Sequence, residues 1–68
     1  MELSARNQLK GVVRDVNLGT IMAEVTVDIG GQEVVAAITR KSVERLALEA
    51  GLEVTVFVKA TEVMIGRD

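Results

Sequence analysis

Cysteine, histidine, proline, tryptophan and tyrosine are all absent from this chain, and Phe57 is its only aromatic residue. Each absence removes a class of function. Without cysteine there is no disulfide framework, thiolate metal site or thiol nucleophile. Without histidine the chain lacks the commonest general base and the imidazole metal ligand. One phenylalanine cannot supply the stacking platforms on which single-stranded nucleic acid is held. No apolar run approaches the roughly 20 residues that span a bilayer. The opening Met1-Glu2-Leu3-Ser4-Ala5-Arg6 also differs from a secretory leader, which starts basic and continues into an apolar core. The expected location is therefore the cytoplasm.

What is present is aliphatic. Of 68 residues 49% are hydrophobic, which is too many for a disordered chain carrying a net charge of only -2. At this length residues 1–68 are expected to form a single domain. A chain so short buries only about 60% of the surface it exposes when unfolded. Small scaffolds usually add disulfides, a metal or self-association; the composition removes the first, makes the second improbable, and leaves a homo-oligomer as the expectation.

Periodicity gives an order of elements. From Ile21 to Ile29 apolar residues alternate with Met22, Glu24, Thr26 and Asp28, the period of a strand with one buried face. Gly30-Gly31 supplies a two-residue hairpin turn, and Gln32 to Ile38 returns as a strand apolar on both faces, which requires a cover for the second face. Leu9 to Asn17 reads as a preceding strand with Gly11 a bulge or point of close approach. The period then changes. Val43, Leu46 and Ala47 mark one short amphipathic helix, with Thr39 as N-cap and Gly51 closing the far end. Leu52 to Lys59 alternates again as a strand, and residues 60–65 predict a helical turn or a short fifth strand. The expected fold is all-β: a small OB-like five-stranded barrel with one short α-helix.

No arrangement pairs a nucleophile with a base, so no enzyme is expected. The carboxylates Glu24, Asp28, Glu33, Glu44, Glu49 and Glu53 fall on solvent faces or beside turns, where solvated charge is the ordinary role. Three other segments are rich in hydrogen-bond donors: Ser4-Ala5-Arg6-Asn7-Gln8, Thr39-Arg40-Lys41-Ser42 and Lys59-Ala60-Thr61. Each alone reads as capping or solvated charge. Together, at strand and helix ends, they suggest an anion site.

These segments also resemble a known family. Ser4 to Gly11 is similar to the opening signature of the Mop domain, found in molbindins, small cytoplasmic proteins that bind molybdate and tungstate. Related domains occur in molybdate-responsive regulators and in the ATPase subunits of molybdate importers. The likeness continues through Ala36-Ala37-Ile38-Thr39 with Ser42, Leu46 to Glu53, and Val58 to Ile65. The resemblance implies a trimer of dimers that holds molybdate or tungstate between subunits. It implies Ser4, Ala5 and Arg6 of one subunit meeting Thr39, Ser42, Lys59 and Ala60 of another, with Thr61 at a position often serine. Arg45 matches an arginine of the regulator branch, and Gly19-Thr20-Ile21 is where an anion near the threefold axis would be sought.

The chemistry is consistent with that implication. Molybdate and tungstate are tetrahedral dianions, and hydroxyls, cations and backbone N–H groups offer them donors. Phosphate keeps a proton near neutrality, which a cage without acceptors leaves unpaired. The expected role is binding and storage of the oxyanion, without nucleic-acid or membrane partners. The alternative is an OB-like module that contacts nucleic acid or protein, using Arg6, Lys10, Arg14, Arg40, Lys41 and Arg45 as a basic patch.

Overall fold

Alternation and glycine placement decide the framework of the protein, seen in a computed structural model that describes Met1–Asp68. The strand β2 (Met22–Ile29) buries Ala23, Val25 and Val27 on one face. Gly30 and Gly31, at φ +60° and +94°, turn the chain directly into β3 (Gln32–Thr39). The Asp28 carboxylate accepts from the Gly31 N–H at 2.9 Å and closes that turn. In β3, Val34, Ala36 and Ile38 are half-buried, whereas Val35 is 60% exposed and Ala37 is exposed with it. The second apolar face of this strand has no cover within the chain.

The organising element is β1 (Asn7–Leu18), longer than its expected span. Residues Asn7 to Val12 pair antiparallel with β4 (Glu53–Val58), and Val12 to Leu18 pair antiparallel with β2. The sheet order is β3-β2-β1-β4. A register shift between Val13 and Asp15 marks a bulge at Arg14, the device that bends a strand shared between two partners. Arg14 then bridges Asp28 at 2.9 Å and Glu33 at 3.2 Å, tying β1 to both strands of the hairpin. Gly11 is the point of close approach that the sequence predicts: a Cβ there would lie 2.5 Å from the Asp28 carbonyl oxygen.

One helix crosses the core. α1 (Arg40–Leu46) is capped by Thr39, as expected, and sends Val43 into the cluster of Val13, Ala23, Val25 and Val27. Its far end differs from expectation. The chain turns at Ala47, which takes a left-handed φ of 52°, because half-buried Leu48 packs on the core and its N–H reaches back to the Val43 carbonyl. Gly51 (φ +94°) instead shapes the approach to β4, its N–H donating to Val13 O at 2.8 Å. Leu46, predicted to be inward, is 56% exposed, and Ile21 lies before β2, 74% exposed.

The fold class is all-β and OB-like with one short helix, but the chain contributes four strands rather than five. After β4 a single 3₁₀ turn, Ala60–Glu62, leads into Val63-Met64-Ile65, with Met64 and Ile65 above 90% exposed. The residues after β4 thus form a helical turn and add no fifth strand to the sheet.

Only Val13, Ala23, Val25, Val27 and Val43 are fully buried. The accessible surface is 5696 Å², against roughly 4,200 Å² for a compact monomer of this mass. The radius of gyration is 12.6 Å, where about 11 Å is usual for the length. The excess surface is about the area that a protomer contributes to one or two standard interfaces. No helix is long and apolar enough to cross a membrane.

Candidate oxyanion site

The β1–β4 register assembles the first part of the site. Asn7 lies opposite Val58, so the segments Ser4-Ala5-Arg6 and Lys59-Ala60-Thr61 leave the sheet side by side at the same end. Their backbone donors are free. None of the N–H groups of residues 4–6 and 59–61 reaches an acceptor in the chain, nor do the Arg6 and Lys59 side chains form an ion pair. Three of the neighbouring carbonyls are occupied. Ala5 O accepts from Gln8 Nε2 at 2.7 Å, Val58 O from Asn7 Nδ2 at 3.1 Å, and Lys59 O from the Glu62 N–H at 2.8 Å. This end of the sheet is therefore rich in free donors and positive charge.

The second part lies elsewhere. Thr39 pairs with Met22 at the far side of the β2–β3 hairpin, next to the Leu18 end of β1. A 12-residue strand separates the two parts, on the order of 36 Å at about 3.3 Å per residue before its bend. At this end Thr39 Oγ1 accepts from the Ser42 N–H at 3.1 Å and donates its own hydrogen to Ser42 Oγ at 2.8 Å. The Ser42 hydroxyl hydrogen has no acceptor in the chain.

The structure thus brings six of the eight expected residues together and keeps Thr39 and Ser42 apart from them. Arg6 and Lys59, assigned by the resemblance to different subunits, flank the same strand pair of one chain. The Gly19-Thr20-Ile21 turn adjoins the start of α1: the Arg40 backbone N–H donates to Ile21 O at 2.8 Å and its guanidinium to Gly19 O at 3.4 Å. Thr20, Thr39, Arg40, Lys41 and Glu44 line an open depression there, and Glu44 pairs with Arg40 at 3.7 Å. Sequence reasoning counted Asn7 and Gln8 in the donor-rich segment but gave their amides no separate role; no residue pattern announces which carbonyl a side-chain amide will reach.

Of the basic residues, Arg14 pairs with Asp28 and Glu33 and Arg40 with Glu44, and Phe57 is half-buried in β4.

A model of the TOBE domain family matches residues 3–65, and the chain is 47% identical over 66 residues to molybdenum-pterin-binding protein 1 of Clostridium pasteurianum. That alignment covers 96% of this chain and 97% of the relative. This chain belongs to the TOBE domain family, in its Mop branch. Solved structures agree with the assignment. A molybdate binding protein from Sporomusa ovata superposes with a TM-score of 0.93 at 45% identity, covering 98% of this chain and all of that one. MopII from Clostridium pasteurianum superposes at 0.91, also at 45% identity, covering 97% of this chain and all of that one. This Mop domain therefore shares a whole-chain architecture with both, and the likeness is not confined to a motif.

Proposed function

We propose that this Mop domain binds molybdate or tungstate as the intact oxyanion, without turnover, for storage and homeostasis in the cytoplasm. The observation that carries the reading is the donor-rich end of the sheet. The N–H groups of residues 4–6 and 59–61 are free, beside Arg6 and Lys59, while the carbonyls of Ala5, Val58 and Lys59 are tied back. Such a surface suits a dianion that has no proton to share. The names of the similar proteins, one molybdenum-pterin-binding and one molybdate binding, point to the same ligand.

The anion is shared between chains. One protomer offers the Arg6–Lys59 end, with Ser4, Ala5, Ala60 and Thr61, and a neighbour offers Thr39 and Ser42. A single chain holds these parts a full strand apart, so a cage using all eight residues requires at least two. The excess surface and the uncovered apolar residues Val35, Leu46, Met64 and Ile65 support the same assembly, for which a hexamer built as a trimer of dimers is the proposed form.

Native mass spectrometry with added molybdate tests both halves, since it reports subunit number and bound anions together. Oligomers retaining molybdate and shedding phosphate are expected. A monomer that binds molybdate tightly removes the shared cage, and equal retention of the two anions removes the donor-rich chemistry. Dilution is expected to weaken binding, because ligand and assembly stabilise one another by mass action.

A further inference from the structure

Two side-chain amides stand beside the donor cluster and hold its peptide units. Asn7 Nδ2 donates to Val58 O from a half-buried position at the first residue of β1, and Gln8 Nε2 donates to Ala5 O from an exposed one. A carbonyl oxygen only accepts, so both amides present their NH₂ groups.

The consequence follows from peptide geometry. A peptide unit is planar and trans, so the C=O of one residue and the N–H of the next point in opposite directions. Fixing Ala5 O therefore aims the Arg6 N–H away from Gln8. Val58 O is also held by the β1–β4 ladder, so the Lys59 N–H already points away from Asn7 and the Asn7 amide reinforces that orientation. These are two of the donors that find no acceptor in the chain. Turned over, either unit would present an oxygen lone pair where a hydrogen now stands.

We infer that Asn7 and Gln8 are positioning residues of the anion site: each ties back one carbonyl so that its peptide unit turns an N–H, and not an oxygen, toward the anion. The inference rests on the oxyanion reading above and deepens it, because it locates the source of selectivity. The charges of Arg6 and Lys59 attract any anion. A carbonyl turned into the cluster would accept the proton of hydrogen phosphate, as the Ser4 and Thr61 hydroxyls also can, so keeping Ala5 O and Val58 O turned back removes two such acceptors without either amide touching the ligand.

Gln8→Met and Asn7→Leu remove the amide and keep approximate size. The full-length variants are titrated with molybdate and, separately, with inorganic phosphate, alongside Arg6→Ala and Lys59→Ala. Each amide variant is expected to raise the molybdate Kd about tenfold, the usual scale of one net hydrogen bond, and to lower the molybdate-to-phosphate preference by a similar factor. Equal weakening for both anions assigns the amides a merely structural role and overturns the inference. Wild-type affinity and preference in both amide variants, with Arg6→Ala and Lys59→Ala weakened, overturns it while leaving the oxyanion site standing. Wild-type molybdate affinity in Arg6→Ala and Lys59→Ala removes the site itself. Gln8 is exposed, so Gln8→Met decides the matter if Asn7→Leu fails to fold.

Discussion

Thr39 and Ser42 exchange two hydrogen bonds: the Ser42 N–H donates to Thr39 Oγ1 at 3.1 Å, and the Thr39 hydroxyl donates to Ser42 Oγ at 2.8 Å. The first bond caps α1, and the second commits the threonine hydrogen, leaving the serine hydrogen as the free donor of the pair. The two residues should therefore respond differently to substitution. Thr39→Ala is expected to lower stability by about 1 kcal/mol through loss of the cap and to weaken molybdate binding as well. Ser42→Ala should weaken binding with little change in melting temperature, and Thr39→Ser should retain both properties. Thermal denaturation of the anion-free protein, followed by titration with molybdate, separates the effects; equal destabilisation by Thr39→Ala and Ser42→Ala would contradict this division.

Arg6 and Lys59 flank the Asn7–Val58 pair but differ in geometry. A guanidinium can bind two oxygens of a tetrahedral anion at once, whereas an ammonium acts as a point charge. Arg6→Ala is expected to weaken molybdate binding by roughly 10- to 100-fold, the range of charge-assisted hydrogen bonds, and Lys59→Ala by less. Isothermal titration at fixed ionic strength reads both, and unchanged affinity in Arg6→Ala would take that residue out of the site.

Gly11 sits where β1 passes from one partner to the other, with Asp28 O 2.5 Å and Val27 Cγ1 2.8 Å from where a Cβ would stand. Because the nearest atom is backbone, the clash has no flexible end to give way. Gly11→Ala is expected to destabilise the fold by about 1–3 kcal/mol, measured by urea denaturation. A neutral result would mean that the β1–β2 crossing relaxes freely.

Ala47 holds a left-handed conformation that glycine adopts without penalty. Ala47→Gly should raise stability by about 1 kcal/mol, visible as an upward shift in melting temperature. A lower melting temperature would show that chain entropy outweighs the relief at this turn.

Val35 lies on the uncovered face of β3, 60% exposed. If that face is an interface, Val35→Glu places a carboxylate where apolar contact is needed, and association should weaken at least about tenfold. Sedimentation equilibrium reads the change. An assembly as stable as wild type would exclude this face from the contact.

Much of the framework was legible because it depends on local chemistry. The Gly30-Gly31 turn, the Thr39 cap and the inward set Ala23, Val25, Val27 and Val43 follow from backbone freedom, hydroxyl capping and period-two or helical burial. The errors share a different cause. Ile21 and Leu46 look like core residues by spacing but are exposed in the single chain, and the helix closes at Ala47 rather than Gly51 because Leu48 finds a place against the core. Spacing ranks residues by hydrophobicity and phase; it does not say how much core there is to receive them.

The candidate site divides along the same line. Its residue types and their suitability for a dianion without protons were readable from the sequence, since donors and acceptors are fixed by side-chain chemistry. Which donors share an end of the molecule was not. That was decided by β1 pairing with β4 through its first half and β2 through its second, contacts between residues some 50 positions apart in one case. Long-range pairing sets Arg6 beside Lys59, removes Thr39 to the other end, and brings the Val58 carbonyl to Asn7. Composition determined what the protein can offer an anion; the bend of one shared strand decided where it is offered.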